Sequence, residues 1–220
     1  MHTLALPVLP RLGDLFACLP PWMALRIDVQ RPDESIEREL DTLHRRRQTA
    51  ADPLASCSTL PGRLPGLVWH HRKADGEHYV YVEDTARGCL AGYTVFNRLV
   101  EVDRRTDPHV RAPHSRYAPD YQRRGIATAV YEWGLEQGFC LLSGARQSAG
   151  AHALWLALGR RFQLGYVALR ARRMHYLGAQ PPSTLRDELS TRLLLIGPGW
   201  SVERLQALGL LQTTRPAAAT

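Results

Sequence analysis

The sequence predicts an α/β (α+β) fold in which a mixed, mostly antiparallel twisted sheet is flanked by helices, with extensions at both ends. Three observations carry this reading. Val-, Tyr- and Trp-rich runs between Leu67 and Phe96 are separated by short turn signals, the pattern of an antiparallel meander. The stretch 109–127 reads as a strand that ends near Tyr117 and meets Pro119, a tight turn, and a helix N-terminus. Beyond it, the order strand, loop, helix, strand, loop, helix places two parallel strands side by side.

The elements follow in order. Residues 1–21, rich in proline and leucine and without a clear period, form an N-terminal extension. Residues 24–29 alternate Leu25, Ile27 and Val29 with Arg26 and Asp28, the period of a half-buried strand. After Pro32, the apolar residues Ile36, Leu40 and Leu43 fall at i, i+4 and i+7 and predict a helix over about 33–47. Asp33, Glu34 and Glu37 near its start and Arg45, Arg46 and Arg47 at its end suit the helix dipole. The serines, prolines and glycines of 53–65 read as a loop. Strands are expected at 67–71, 79–83 and 89–96, with turns at Asp75-Gly76 and Arg87-Gly88, and Asp107-Pro108 turns the chain into a strand beginning at His109. Ile126, Val130 and Trp133 make a helical stripe that ends near Gly138, and 139–142 is an apolar run of the kind that forms a buried strand. A small-residue loop at 143–150 leads to a helix over 151–161, and 165–170 and 173–177 pair as a closing hairpin. On this reading 22–178 is the main domain. Residues 179–212 are a C-terminal extension that packs on it and contains a short helix capped by Ser201 and stopped by Gly209. Residues 213–220 form a disordered tail.

Composition narrows the class. At 220 residues, with 45% apolar residues, the chain suits one domain with extensions and a real core. A formal charge of +7 favours acidic partners, whether a phosphate-bearing ligand, nucleic acid or an acidic protein face. Nearly all the cations are arginines, Lys73 being the only lysine. Cys18, Cys57, Cys89 and Cys140 are far apart and show no zinc-ligand spacing, so a reduced, cytoplasmic chain without a metal is expected. The first nine residues are apolar but interrupted by Pro7 and lack a basic start, which argues against a signal peptide, and no apolar run approaches the ~20 residues of a membrane span.

The turn Gln122-Arg123-Arg124-Gly125-Ile126-Ala127 carries the chemistry. A strand that turns straight into a helix leaves backbone N–H groups unpaired at the positive end of the helix dipole, a setting for an anion and above all for a pyrophosphate. Gly125 and Ala127 are small enough to let phosphate oxygens reach the backbone, and Arg123 and Arg124 add permanent charge. An ordinary basic helix start with a glycine would look the same in isolation.

The surroundings resemble the GNAT (GCN5-related) N-acetyltransferases, whose acetyl-CoA loop reads Gln/Arg-x-x-Gly-x-Gly/Ala a few residues after a strand ending in Val-x-Pro. Here Tyr117-Ala118-Pro119 precedes Gln122 to Ala127. On its next helix the family often carries Asn-x-x-Ala-x-x-Leu-Tyr-x-x-Leu-Gly. In this chain Ala151, Leu154, Leu158 and Gly159 match it, with Ser148 in place of the asparagine and Trp155 in place of the tyrosine. The resemblance spans about 79–177.

The resemblance implies transfer of an acetyl group from acetyl-CoA to an amine. It implies that the backbone at Tyr117 polarises the thioester carbonyl and that Gln122 and the loop Arg123, Arg124, Gly125, Ile126, Ala127 and Thr128 hold the pyrophosphate, while Ser148 bonds the pantetheine arm. Glu101, Asp103, His109 and His114 lie on or near the strand that would face the substrate, and His109 is nearest the place where many members put a carboxylate, which makes it the candidate base. Trp155 cannot protonate the CoA sulfur as a tyrosine does, so Tyr121, water, or no acid at all would serve. The acceptor is a small-molecule or protein amine. Nucleic acid is not favoured, because no recognition motif accompanies the charge, although a tRNA-directed acetyltransferase would use both features. The missing asparagine and tyrosine keep a second alternative open, an acyl-CoA-binding or protein-interaction module without turnover. No membrane partner is expected, and the extension leaves room for a homodimer.

Overall fold

A computed structural model describes residues 33–213; the expectations for 1–21, 24–29 and 214–220 lie outside the described residues. The helix expected from the Ile36, Leu40 and Leu43 stripe is α1 (Asp33–Gln48), and its C-terminal Arg46 is held by Asp52, whose side chain also caps the following short turn by accepting from the Leu54 N–H. Next come β1 (Ser58–Leu60), β2 (Leu67–Ala74), β3 (Glu77–Asp84) and β4 (Cys89–Asn97), each antiparallel to its neighbour. The β2–β3 hairpin is closed by Asp75 and Gly76, both at positive φ (53° and 79°), the two-residue turn that matches strand twist. β1 lies where a loop was expected. It is short and mostly exposed, and it forms through backbone pairing to β2, so no apolar alternation announces it.

β5 (Val110–Tyr117) pairs antiparallel with β4 and leads through a tight turn into α2 (Ile126–Glu136). β6 (Cys140–Leu142) runs parallel to β5 and leads into α3 (Ala149–Leu158). The expected hairpin is β7 (Gln163–Arg170) with β8 (Arg173–Gly178). A short α4 (Ser183–Arg186), β9 (Thr191–Ile196), α5 (Val202–Ala207) and β10 (Leu211–Thr213) complete the described chain. Ser201 caps α5 by accepting from the Arg204 N–H at 3.1 Å, and Gly209 turns the chain at φ 70°.

Among the described residues the sheet order is β1-β2-β3-β4-β5-β6-β9-β7-β8-β10, mostly antiparallel, with parallel pairs only at β5–β6 and β8–β10. One strand sits elsewhere than the sequence reading put it. The sequence reading places 193–196 in a C-terminal extension packing on the main domain, but β9 runs inside the sheet between β6 and β7, with all six residues buried. Leu193, Leu194, Leu195 and Ile196 read as one apolar run because both faces are covered: Leu193 and Leu195 join the core under α2 and α3, and Leu194 and Ile196 join the core that contains Leu205 and Leu211.

Cross-strand register assigns side chains to faces. His70, Tyr81, Tyr93 and Arg116 are successive partners across β2 to β5, and Arg72, Tyr79, Val95 and His114 form the next row on the same face. α1 covers this face through Leu40, which packs with Tyr81 and Leu90. The opposite face carries Trp69, Val80, Phe96 and Tyr117 against α2 and α3. Gly92 is required there, because a Cβ at that position would lie 2.2 Å from Cδ1 of the Tyr117 ring.

Two outcomes test this architecture. Leu194→Ala is expected to cost about 2–5 kcal/mol in urea denaturation, the range for deleting a buried leucine, whereas the exposed Leu208→Ala is expected to stay within about 0.5 kcal/mol. The second concerns pH. Burial lowers the pKa of His70, His71 and His78, the last to about 4, and His71 Nε2 meets His78 Nδ1 at 3.0 Å. The unfolded chain takes up protons below about 6.5 that the folded chain refuses, so stability is expected to be full above that pH and to fall progressively toward about 4 in a pH series of melting curves.

Candidate functional site

The two parallel strands stay together for only two residue pairs, Val110 with Cys140 and Arg111 with Leu141. Beyond them, among the described strands, β5 continues from Ala112 to Tyr117 paired on its β4 side alone. The departure of β6 has a visible cause at Ser143. Its N–H donates to the Leu193 carbonyl at 2.9 Å and its Oγ accepts from the Leu193 N–H at 3.0 Å, so the chain leaving β6 is tied to β9 and drawn away from β5. The result is a wedge at the C-terminal ends of two parallel strands, where open sheets of this kind place ligands.

The open edge of β5 presents backbone. Ala118 N–H donates to the Ala91 carbonyl on the β4 side at 3.0 Å, so alternation along the strand turns the N–H and C=O of Tyr117 toward the wedge. The Gln122 side-chain amide occupies that carbonyl at 3.0 Å and leaves the Tyr117 N–H facing the opening. The ring of Tyr117 points into the core instead, where its hydroxyl meets Thr94 Oγ1 at 3.0 Å and Thr94 meets Ser115 Oγ at 2.7 Å. Burial raises the pKa of this phenol well above its usual value.

The turn is built by two residues at positive φ, Arg123 (58°) and Gly125 (76°). Gly125 is the N-cap of α2, no side chain caps the helix, and a Cβ at Gly125 would meet nothing within 4 Å. The N–H groups of Ile126, Ala127 and Thr128 therefore stand at a helix start that no side chain caps among the described residues. Arg123 is exposed, and Ile126 anchors the first turn in the core at 2% exposure. Tyr121 braces the turn from behind. The guanidinium carbons of Arg87 and Arg124 lie over its ring, at 5.6 and 5.2 Å from the centroid, and its hydroxyl donates to Asp84 at 2.8 Å. Burial, then contacts with Cys89 and Asp84, hold its pKa above the ordinary tyrosine value, so its proton is committed to Asp84.

On the other wall, the Ser148 hydroxyl caps α3 by accepting from the Ala151 N–H at 3.1 Å. Gln147 beside it is buried, and its Oε1 has no hydrogen-bond partner. No sequence motif singled out Gln147; its signal is an unsatisfied acceptor, which only the fold reveals. Trp155 is 2% exposed and packs edge-on to Tyr131 with ring centroids 6.1 Å apart, so it belongs to the core. Burial pushes the Tyr131 hydroxyl to about 12.

The structure does not bring the other nominated groups to the wedge. His109 precedes β5 and packs against Trp200, with ring centroids 5.0 Å apart and the planes tilted by 59°. The 8 residues of β5 set it roughly 26 Å from the turn. Glu101 pairs with Arg192 at 3.2 Å, and Asp103 accepts from the backbone N–H groups of Arg105 and Thr106. His114 alone sits within β5, exposed, on the face covered by α1. Among the described residues no group of three or more His, Cys, Asp or Glu is placed to hold a metal, and no helix is long and apolar enough to cross a membrane.

No family model matches the chain, and none of the curated proteins does. Solved structures of GNAT-superfamily acetyltransferases are similar to it. A phosphinothricin acetyltransferase from Sinorhizobium meliloti in complex with acetyl-CoA shares 20% identity at a TM-score of 0.36 over 56% of this chain and 63% of that one. A cAMP-binding acyltransferase from Mycobacterium smegmatis shares 12% at 0.40 over 89% and 60%, and a GNAT-family acetyltransferase from Streptococcus pneumoniae shares 14% at 0.35 over 77% and 98%. The chain thus spans about six tenths of the first two.

The core placement of Trp155 has a measurable consequence. Trp155→Tyr replaces a packed indole with a smaller ring and buries a hydroxyl, and it is expected to cost about 1–3 kcal/mol in scanning calorimetry. An unchanged melting temperature would mean that this ring faces ligand space.

Proposed function

We propose that the chain is an acetyl-CoA-dependent N-acetyltransferase. The observation that carries this reading is the wedge itself: a strand edge offering the Tyr117 N–H, next to an uncapped helix start at Gly125 with no side chain over it. In this reading the N–H groups from Arg123 to Thr128 bind the pyrophosphate, with Arg123 as the nearby cation and Gln122 as the brace of the strand edge. The pantetheine arm enters between β5 and β6, with its amides reaching the free Oε1 of Gln147 and the Ser148 hydroxyl. The Tyr117 N–H then stabilises the oxygen of the thioester carbonyl as it gains charge.

The neutral amine nitrogen bonds to the acetyl carbon, the carbon–sulfur bond breaks, and CoA leaves as a thiolate that takes a proton from water. The nitrogen gives its surplus proton to solvent. Tyr121 is not the acid in this scheme, since its hydroxyl is bound to Asp84, and His109 is not the base, since it lies at the far end of β5. The same commitment of Tyr121, together with the burial of Trp155, favours a second reading in which the site binds acyl-CoA without turnover. Mass spectrometry of amines incubated with labelled acetyl-CoA separates the two.

Binding itself is tested by calorimetry with acetyl-CoA. Gly125→Glu is expected to abolish binding, while Gly125→Asn, which tolerates positive φ and adds no charge, keeps the fold and binds more weakly. Gln147→Leu is expected to leave stability unchanged or higher, because it removes an unpaired buried acceptor, and to weaken acetyl-CoA about tenfold. Unchanged affinity in Gly125→Glu would overturn the reading.

A further inference from the structure

On the face of the sheet covered by α1, a groove of about 300 Å³ runs between the helix and the strands. Its wall on α1 is Glu39, Leu43 and Arg46, spaced i, i+4 and i+7, and its floor is Tyr79, Tyr81 and Tyr93. The Tyr79 and Tyr81 rings are nearly parallel with centroids 6.4 Å apart, and Tyr81 to Tyr93 is 6.2 Å, so the floor is a continuous aromatic strip across β3 and β4.

The two ends of the groove differ in charge. At the β5 end the Glu39 carboxylate accepts from Tyr93 Oη at 2.6 Å and pairs with Arg116. Two contacts leave part of its acceptor capacity unused. Tyr93 remains a donor there, because burial and then Glu39 push its pKa to about 12. Arg116 is the residue before Tyr117, so the strand that contributes to this end of the groove also carries the backbone N–H proposed to face the thioester. At the opposite end stands Arg72 on β2. Arg46 is paired with Asp52 at 2.8 Å, whereas Arg72 makes no ion pair among the described residues. Three strand spacings, roughly 14 Å, separate β2 from β5.

We infer that this groove holds the acceptor, and that the acceptor is an elongated amine with a flat apolar body and an anionic far end: the amine at Glu39 and Tyr93, the body on the tyrosine strip, the anion at Arg72. The inference rests on the proposed transferase reading and adds the substrate class to it. A polyamine fits poorly, because its second cation would sit against Arg46 and Arg72, and a compact α-amino acid cannot span the two ends.

The test pairs binding with turnover. Calorimetry with CoA present, which requires no transfer, is run with 4-(2-aminoethyl)benzoate, phenethylamine and spermidine, followed by CoA-release kinetics with acetyl-CoA. The benzoate is expected to bind at least tenfold tighter than phenethylamine, and spermidine weakest. Arg72→Ala is expected to erase the benzoate advantage, and Glu39→Gln to weaken both aryl amines at least tenfold, each with acetyl-CoA affinity unchanged. Arg72→Glu is expected to reverse the order in favour of spermidine, a gain that misfolding cannot produce. Equal binding of all three amines, no binding of the benzoate, or an unchanged order in Arg72→Glu would overturn the inference. Loss of acetyl-CoA binding in the parent chain would instead overturn the transferase reading, with the groove still judged by its own amine titrations.

Discussion

The bond pair between Ser143 and Leu193 sets the geometry on which the candidate site depends. A parallel pair that stayed zipped would bury the edge of β5 in ordinary ladder bonds. Because the chain leaves β6 held by β9, the pairing stops after Arg111 and Leu141, and the backbone from Ala112 to Tyr117 keeps one side open. That tie requires β9 to be a central strand, buried on both faces and paired on both edges. The residues beyond the closing hairpin are therefore part of what opens the wedge.

This is also where sequence reasoning and structure part company. Local signals are read well. The spacing of Ile36, Leu40 and Leu43 gave α1, Asp75-Gly76 gave a hairpin, and Ser201 gave the α5 cap, because each depends on residues close in the chain. The position of β9 depends on which strands it joins, and an apolar run such as Leu193 to Ile196 carries no partner information. The same limit applies to side chains. Trp155 stands at a motif position yet packs in the core, and Gln147 stands out only as a buried oxygen without a partner. The resemblance makes His109 the candidate base because it is nearest the place where many members put a carboxylate, but nearness in sequence along an extended chain is distance in space.

The hydroxyl chain of Tyr117, Thr94 and Ser115 holds the open strand edge from its buried face. It ties β4 to β5 on the buried face, and Ser115 reaches the Tyr131 hydroxyl on α2. Gly92 lets the Tyr117 ring lie flat over the neighbouring strand. Thus the edge is held from beneath by side chains while its backbone faces outward, and the turn after it is braced by Tyr121 and its contacts with Arg87 and Arg124.

A division of labour follows between the two faces of the sheet. In the proposed reading the cofactor is recognised by backbone N–H groups, which constrain only the small residue at Gly125 and the path of the chain, so much of that half can change in sequence without losing its chemistry. The acceptor groove is the reverse. Its selectivity would reside in Glu39, Arg72 and three tyrosines drawn from α1, β2, β3 and β4, residues that are distant in sequence and form no motif. A short turn signature can therefore point to the cofactor, whereas the acceptor is written in the charges placed at the two ends of an aromatic strip.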